Sequence, residues 1–282
     1  MVAIIWGGGF VAQVAGMEHV GPYSFNGVRF ILGGCCLIPL VLRQQKKYQP
    51  FEGQYISPGK AGFFAGLFLF GGATMQQVGI QYTTAGKAGF ITGLYVVLVP
   101  ILGLFFHRST STGSWFGAVL AAGGLYLLSV KGAFSMCFGD LLVTIGALFW
   151  AGHVLVLAYL SPRSCPVTLA MVQFFLCGLL SLSIGLLIEP FSLKGVLSAW
   201  LPLFYGGIIS VGAGYTLQVV AQRKAHPSHA AILLSLEAPF AALGGWLLLD
   251  EILSGRAMTG CVLMLTGMLV SQLWPSSTCQ SV

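Results

Sequence analysis

Residues 230–251 read AAILLSLEAPFAALGGWLLLDE. Between Ala230 and Leu249 a single residue, Glu237, carries a charge, and it lies near the middle. Twenty residues at helical rise cover about the ~30 Å hydrocarbon core of a bilayer. A carboxylate at that depth costs a few kcal/mol, so it is expected to face a protein-lined or watery interior. Two residues on, Pro239 removes a backbone donor and disfavours helical geometry at Ala238. The stretch therefore reads as a breakable membrane helix with a buried acid, and the rest of the chain must supply the cavity it faces.

The composition agrees. Of 282 residues, 56% are hydrophobic and 7% charged, against about a quarter charged in soluble domains. No soluble core buries so much apolar sequence, and the abundant glycine suits close helix packing in membranes. The formal charge of +6 does not indicate nucleic acid as partner, because Lys and Arg lie singly or in small groups between apolar runs. The seven cysteines show no CxxC or Cys/His zinc spacing; they read as small core residues without a disulfide framework or a metal. No P-loop or other nucleotide motif occurs, so neither direct use of ATP nor any cofactor is expected. Residues 1–17 lack the basic n-region and cleavage site of a secretory signal.

Apolar runs occupy 1–17, 22–42, 60–82, 85–106, 112–130, 138–160, 166–188, 199–222, 228–249 and 256–274. The expected fold is an all-α polytopic membrane protein of ten transmembrane helices. With the N-terminus cytoplasmic, inside loops hold eight basic residues: Arg43, Lys46, Lys47, Lys60, Arg108, Arg163, Arg223 and Lys224. Outside loops hold four: Lys87, Lys131, Lys194 and Arg256. Positive-inside bias then places both termini in the cytoplasm, in a bacterial cytoplasmic (inner) membrane.

An internal repeat runs through these helices. Trp6 matches Trp150, Pro22 matches Pro166, Val28 matches Val172 and Phe30 matches Phe174 at an offset of 144. Gln77 and Gln81 match Gln218 and Gln222 at 141, and Ser111, Gly117 and Gly124 match Ser254, Gly260 and Gly267 at 143. The halves are 1–131 and 137–274. Five helices is an odd number, so the second half enters the membrane the other way up, as in the inverted repeats of secondary transporters. The first helix is short, and Asp140 would correspond to a position before Met1; a start several residues upstream is expected.

With these helices and this repeat, the chain resembles the drug/metabolite transporter superfamily, in its EamA-type branch. The matching stretches are IIWGGGFVAQ (4–13), GPYSFNGVRF (21–30), YTTAGKAGFITGLYVVLVPILG (82–103), GDLLVTIGALFWAGHVL (139–155) and the region 235–270 beginning SLEAPFAALGG. It departs from that branch in its short first helix and in Ala238-Pro239, where proline more often follows the glutamate directly. The resemblance implies export of small metabolites, often amino acids or related amphipathic solutes, by alternating access through a central cavity.

Several residues could carry transport. Glu237 reads as a proton-coupling carboxylate or a counter-charge for a substrate amine, or else as a structural acid. Arg29 could pair with Glu237 or bind a substrate carboxylate; the alternative is snorkelling to the outer interface. Asn26, one turn earlier, shares its helix face. Gln77 and Gln218, with Tyr215 three residues before the latter, read as cavity lining or as inter-helix hydrogen bonding. Trp6 and Trp150 could form opposing aromatic walls that suit an amine, although tryptophan also serves as an interface anchor. His153 reads as a proton relay or a satisfied core histidine. Thr92 and Tyr95 are wall candidates at i and i+3. Glycine stripes such as Gly117/Gly124 and Gly260/Gly267 serve close packing, and such surfaces could also seat a homodimer. The loop residues Asp250, Glu251 and Arg256 read as a solvated turn.

Two other classes compete with a transporter. An intramembrane enzyme would need paired acids for a metal, HExxH or GxSxG, none of which occurs, and only seven acids are present. A non-transporting assembly subunit would use the close-packing surfaces for oligomerisation.

Overall fold

A computed structural model describes residues 1–44, 53–83, 85–105, 110–130, 136–248 and 254–274. The described residues are mostly helical, with no strand among them. Inside hydrocarbon the backbone has no water to bond to, and a helix satisfies its donors and acceptors within one segment. Lys46, Lys47, Arg108, Lys131, Asp250 and Glu251, which entered the reading of loops and charge, lie outside the described residues.

In chain order the helices are α1 (Val2–Gly7), α2 (Gly9–Met17), α3 (Pro22–Gln44), α4 (Pro58–Ile80), α5 (Ala85–Gly93), α6 (Tyr95–Phe105), α7 (Thr112–Ser129) and α8 (Phe138–Leu160). A 3-10 turn, Ser161–Arg163, leads to α9 (Pro166–Ile188), α10 (Leu193–Ser198) and α11 (Trp200–Phe204). A π-helical stretch, Tyr205–Tyr215, then joins α11 to α12 (Thr216–Gln222). The last three are α13 (Pro227–Ser235), α14 (Glu237–Leu248) and α15 (Gly255–Leu273). Among the described residues six spans are long and apolar enough to cross a membrane: Pro22–Arg43, Ala88–Phe105, Phe138–Arg163, Pro166–Ile188, Trp200–Gln222 and Gly255–Leu273. Val2–Met17 and Thr112–Leu128 are shorter apolar helices. The chain is a polytopic membrane protein.

Three apolar runs that read as single helices are broken in the middle. The first breaks at Gly8, where Tyr205 lies so close that a Cβ would sit 2.5 Å from its hydroxyl oxygen. That hydroxyl donates to the Ile5 carbonyl at 2.6 Å. The second breaks at Leu94, after Gly93, and the third at Leu236. The Leu236 break falls in the turn before Pro239, whose missing N–H leaves a carbonyl of that turn without its usual donor.

Close backbone approach sets the packing. A Cβ at Gly117 would lie 2.6 Å from the Gly267 carbonyl oxygen, and one at Gly124 would lie 2.5 Å from that of Gly260. The reciprocal distances are the same. Helices α7 and α15 thus meet almost backbone to backbone, and these glycines are used within the chain. Each helix is entered through an equivalent serine N-cap: Ser111 accepts from Ser114 N–H and Ser254 from Ala257 N–H, a bond that satisfies one orphan donor of the first turn. Helices α4 and α8 run antiparallel, Gly79 against Gly139 at one end and Gly71 against Phe149 towards the middle. Helix α3 packs on α9, where the Glu189 carboxylate accepts from Tyr23 and Ser24 N–H at 2.8 Å each. It thereby caps α3, with its charge at the positive end of the helix dipole.

Gly124→Leu is expected to lower the thermal midpoint of the detergent-purified protein by several degrees, since overpacking a tight contact costs about 1–3 kcal/mol. Gly123→Ala, one residue away with open space around its Cβ position, is expected to leave the midpoint unchanged or slightly raised.

Candidate functional site

Helix breaks and aromatic side chains come together around one interior cavity. Its lining includes Trp6, Gly9, Phe10 and Gln13 from the first two helices, Arg29 from α3, Gln76 from α4, and Thr92 and Tyr95 from either side of the Leu94 break. Trp150 and Val154 of α8, Ser210 and Tyr215 of the π-helical stretch, Gln218, Leu234 and Glu237 complete it. The volume is about 40 Å³, room for roughly three waters.

The two breaks place chemistry at matching points. Tyr95 is the first residue of α6 and Glu237 the first of α14, so each lies at the N-terminus of a half-helix. A helix N-terminus favours negative charge, and discontinuous membrane helices commonly aim such ends at a substrate. Tyr95 Oη is buried without a hydrogen-bond partner, as are Arg29 Nε and Gln218 Oε1. All three residues line the cavity. An unsatisfied buried polar atom costs about 1–3 kcal/mol, which a suitable ligand would offset.

Arg29 does not snorkel. It is buried, with its guanidinium 5.5 Å from the Phe25 ring centre and 5.0 Å from that of Phe30. Among the described residues no ion pair joins it to Glu237, although both line the cavity.

Tyr215 is the hub of the aromatic wall. Its ring centre lies 4.5 Å from that of Trp6, 5.9 Å from Trp150 in near-parallel orientation, and 6.0 Å from Phe30. The two tryptophans are seated alike. A Cβ at Gly214 would lie 2.7 Å from the Trp6 indole nitrogen, and one at Gly72 would lie 2.9 Å from the Trp150 ring. One turn beyond these glycines stand Gln218 and Gln76.

Gln76 was not singled out by the sequence, and it is the centre of the polar network. Its Oε1 accepts from Trp150 Nε1 at 2.9 Å and from Thr92 Oγ1 at 3.4 Å, and its Nε2 donates to Gln13 Oε1 at 3.1 Å. The QxxxQ match at an offset of 141 points to Gln77. Matching Gly72 and Gln76 to Gly214 and Gln218 needs 142, which also relates Tyr95 to Glu237. Gln77 is buried beside the site rather than on its wall, with Nε2 donating to the Gln13 carbonyl at 3.3 Å. Gln13 also lines the cavity and belongs to no polar stripe that periodicity would flag, and Ser210, which reads from the sequence as part of a small-residue packing stripe with Gly206 and Gly214, lines it as well.

Of the remaining candidates, Asn26 donates to the Ala73 carbonyl at 3.1 Å and so ties α3 to α4. His153 Nε2 meets Gln173 Oε1 at 3.0 Å in the interior. Neither is part of the cavity wall.

Gln76→Leu leaves the Trp150 indole N–H without its acceptor and is expected to cost about 1–3 kcal/mol. In a double-mutant cycle read by thermal unfolding, Gln76→Leu with Trp150→Phe is expected to cost less than the sum of the singles. Simple additivity would mean that the bond contributes nothing.

The comparisons with known proteins agree with this architecture. A solved crystal structure superposes with a TM-score of 0.80 over 96% of this chain and 94% of its own, at 19% identity, a likeness of fold. An uncharacterized transporter of Archaeoglobus fulgidus is 31% identical over 277 residues, covering 97% of this chain and 84% of that protein. The uncharacterized transporter YoaV of Bacillus subtilis is 24% identical over 282 residues, covering 96% of this chain and 94% of its own. WAT1-related protein At2g39510 of Arabidopsis thaliana is 30% identical over 149 residues, covering 49% of this chain and 38% of its own. The model of the EamA-like transporter family matches residues 1–130 and again 137–272. The chain is an integral membrane protein that belongs to the EamA-like transporter family of the drug/metabolite transporter superfamily.

Proposed function

We propose that the protein is a secondary exporter of small metabolites, amino acids or related amphipathic solutes, working by alternating access between two inverted five-helix repeats, 1–131 and 137–274. In this reading ten helices span the bacterial cytoplasmic membrane, with both termini in the cytoplasm. The observation that carries the substrate class is a pair of opposite charges, Arg29 and Glu237, on one cavity without an ion pair between them. Arg29 suits a carboxylate through its planar fork of donors. Glu237 suits an ammonium group, and the faces of Trp6, Trp150 and Tyr215 add cation–π attraction.

The inverted repeat is supported by contacts that exchange under the internal match. If Gly117 corresponds to Gly260 and Gly124 to Gly267, the Gly117–Gly267 contact becomes the Gly260–Gly124 contact, and both are present. The paired seats of Trp6 on Gly214 and Trp150 on Gly72 behave the same way.

The cavity is far below the ~300 Å³ of an ordinary small-molecule pocket, so a substrate requires the halves to part. Leu94 and Leu236 are the natural hinges. Each precedes a cavity-lining residue, so bending there moves Tyr95 and Glu237 with their half-helices. Glu237 either exchanges a proton or meets the substrate amine during that movement.

Counterflow of labelled zwitterionic amino acids into proteoliposomes tests the reading, after a thermal-shift screen to choose the substrate. Saturable flux is expected for the wild type, and Glu237→Gln is expected to fall to the level of empty vesicles. Arg29→Gln is expected to weaken recognition about thirtyfold or more, as removing one partner of a buried charge pair does, and to spare amines that lack the carboxylate. Unchanged flux in both variants would remove the two charges from the mechanism. Product formation without flux would mark an intramembrane enzyme.

A further inference from the structure

A second and larger hollow lies on the outer face of the bundle, away from the central cavity. It is a groove of about 950 Å³ between α4, α6 and α8, at the upper end of the ~300–1,000 Å³ found for ligand sites. One wall is a single stripe of α4, Lys60, Phe64 and Phe68, spaced four residues apart. The facing wall runs along α8 from Leu148 to Tyr159 and ends in the 3-10 turn at Arg163. Because α4 and α8 are antiparallel, the start of one and the end of the other meet at the same end of the groove. Both of its charges therefore lie there, and both are positive. No acidic residue is part of its lining among the described residues.

Depth identifies the occupant. From Tyr159 to Leu148 the groove is apolar for eleven residue steps, or about 16 Å at helical rise. That is about one leaflet of a ~30 Å hydrocarbon core. The charged end accordingly lies at the level of that leaflet's headgroups. Arg163 is held there, its Nη1 donating to the Tyr159 carbonyl at 2.7 Å and its guanidinium 4.3 Å from the Tyr159 ring centre. Lys60 is exposed, in the first turn of α4. The N-cap of that helix, Ser57, makes no side-chain cap bond, which leaves first-turn N–H groups to favour an anion. Basic pockets between membrane helices at headgroup depth are suited to anionic lipid.

We infer that this groove is a binding site for one anionic phospholipid, its phosphate between Lys60 and Arg163 and its acyl chains along Phe64, Phe68 and α8. The site is separate from the central cavity and does not depend on what that cavity transports.

Native mass spectrometry of the delipidated, full-length protein titrated with phosphatidylglycerol tests the inference, with phosphatidylcholine as the neutral comparison. The wild type is expected to retain one phosphatidylglycerol in preference to phosphatidylcholine. Lys60→Gln and Arg163→Gln are each expected to weaken that retention about fivefold, and the double variant about twenty-five-fold. Lys194→Gln, an exposed charge elsewhere, is expected to change nothing. Val156→Trp, which fills the groove and keeps both charges, is expected to reduce retention as well. Glycerol phosphate, the headgroup without chains, is expected not to displace the lipid. Equal retention of the two lipids, an unaffected double variant, or an equal loss in Lys194→Gln would overturn the site. Displacement by glycerol phosphate with normal lipid retention in Val156→Trp would reduce it to a surface anion site and overturn the lipid assignment.

Discussion

Within hydrocarbon a buried donor has only the chain itself to bond to, and the Trp150 indole finds Gln76. That bond is possible because Gly72 lets the indole lie on the α4 backbone, one turn away. Gln76 then reaches Gln13 on α2 and Thr92 on α5. One amide thus connects four helices around the cavity, with each of its polar atoms in use. The cost of leaving such a group unpaired is what fixes the rotamers of the wall. Tyr215 extends the same rigidity by packing, since both tryptophans rest against its ring.

Against that fixed half stands a set of groups with unmet potential. Tyr95, Arg29 and Gln218 hold buried atoms without partners, and they face the same space as Glu237. In the inverted-repeat reading the backbone is near-symmetric and the chemistry is not. A phenol at the start of α6 answers a carboxylate at the start of α14. Arg29 answers Gln173, which is already engaged with His153. The two helix breaks are similar, and the side chains they bring to the cavity are not.

Much of this was legible in the sequence because the bilayer imposes a simple rule: long apolar runs must be helices. The runs at 22–42, 138–160 and 166–188 coincide with α3, α8 and α9 to within two residues. Glu237 and Arg29 stood out because charge at membrane depth is rare, and both line the cavity. The helix break near Pro239 was readable from its missing donor, whereas the breaks at Gly8 and Leu94 were not. The first depends on Tyr205, two hundred residues away in sequence, and no local pattern reports such a contact. Gln76 and Gln77 are adjacent, and an offset of 141 picks Gln77 where 142 picks Gln76, the one that lines the cavity. His153 and Asn26 could not be told from cavity residues by composition, because a polar group bonded to a neighbouring helix looks the same in one dimension.

The π-helical stretch Tyr205–Tyr215 bears on how this protein can change over generations. Deleting a residue from an α-helix in a packed bundle usually turns everything beyond it by about 100° and ruins the interior. A π turn already carries one residue more than an α turn, so a deletion here can be absorbed by tightening the coil. The price is local rotation, with Ser210, Tyr215 and Gln218 the side chains best placed to be re-aimed. A single codon loss at this point is therefore a route by which relatives of this chain can acquire a new cavity wall while the frame of the bundle is kept.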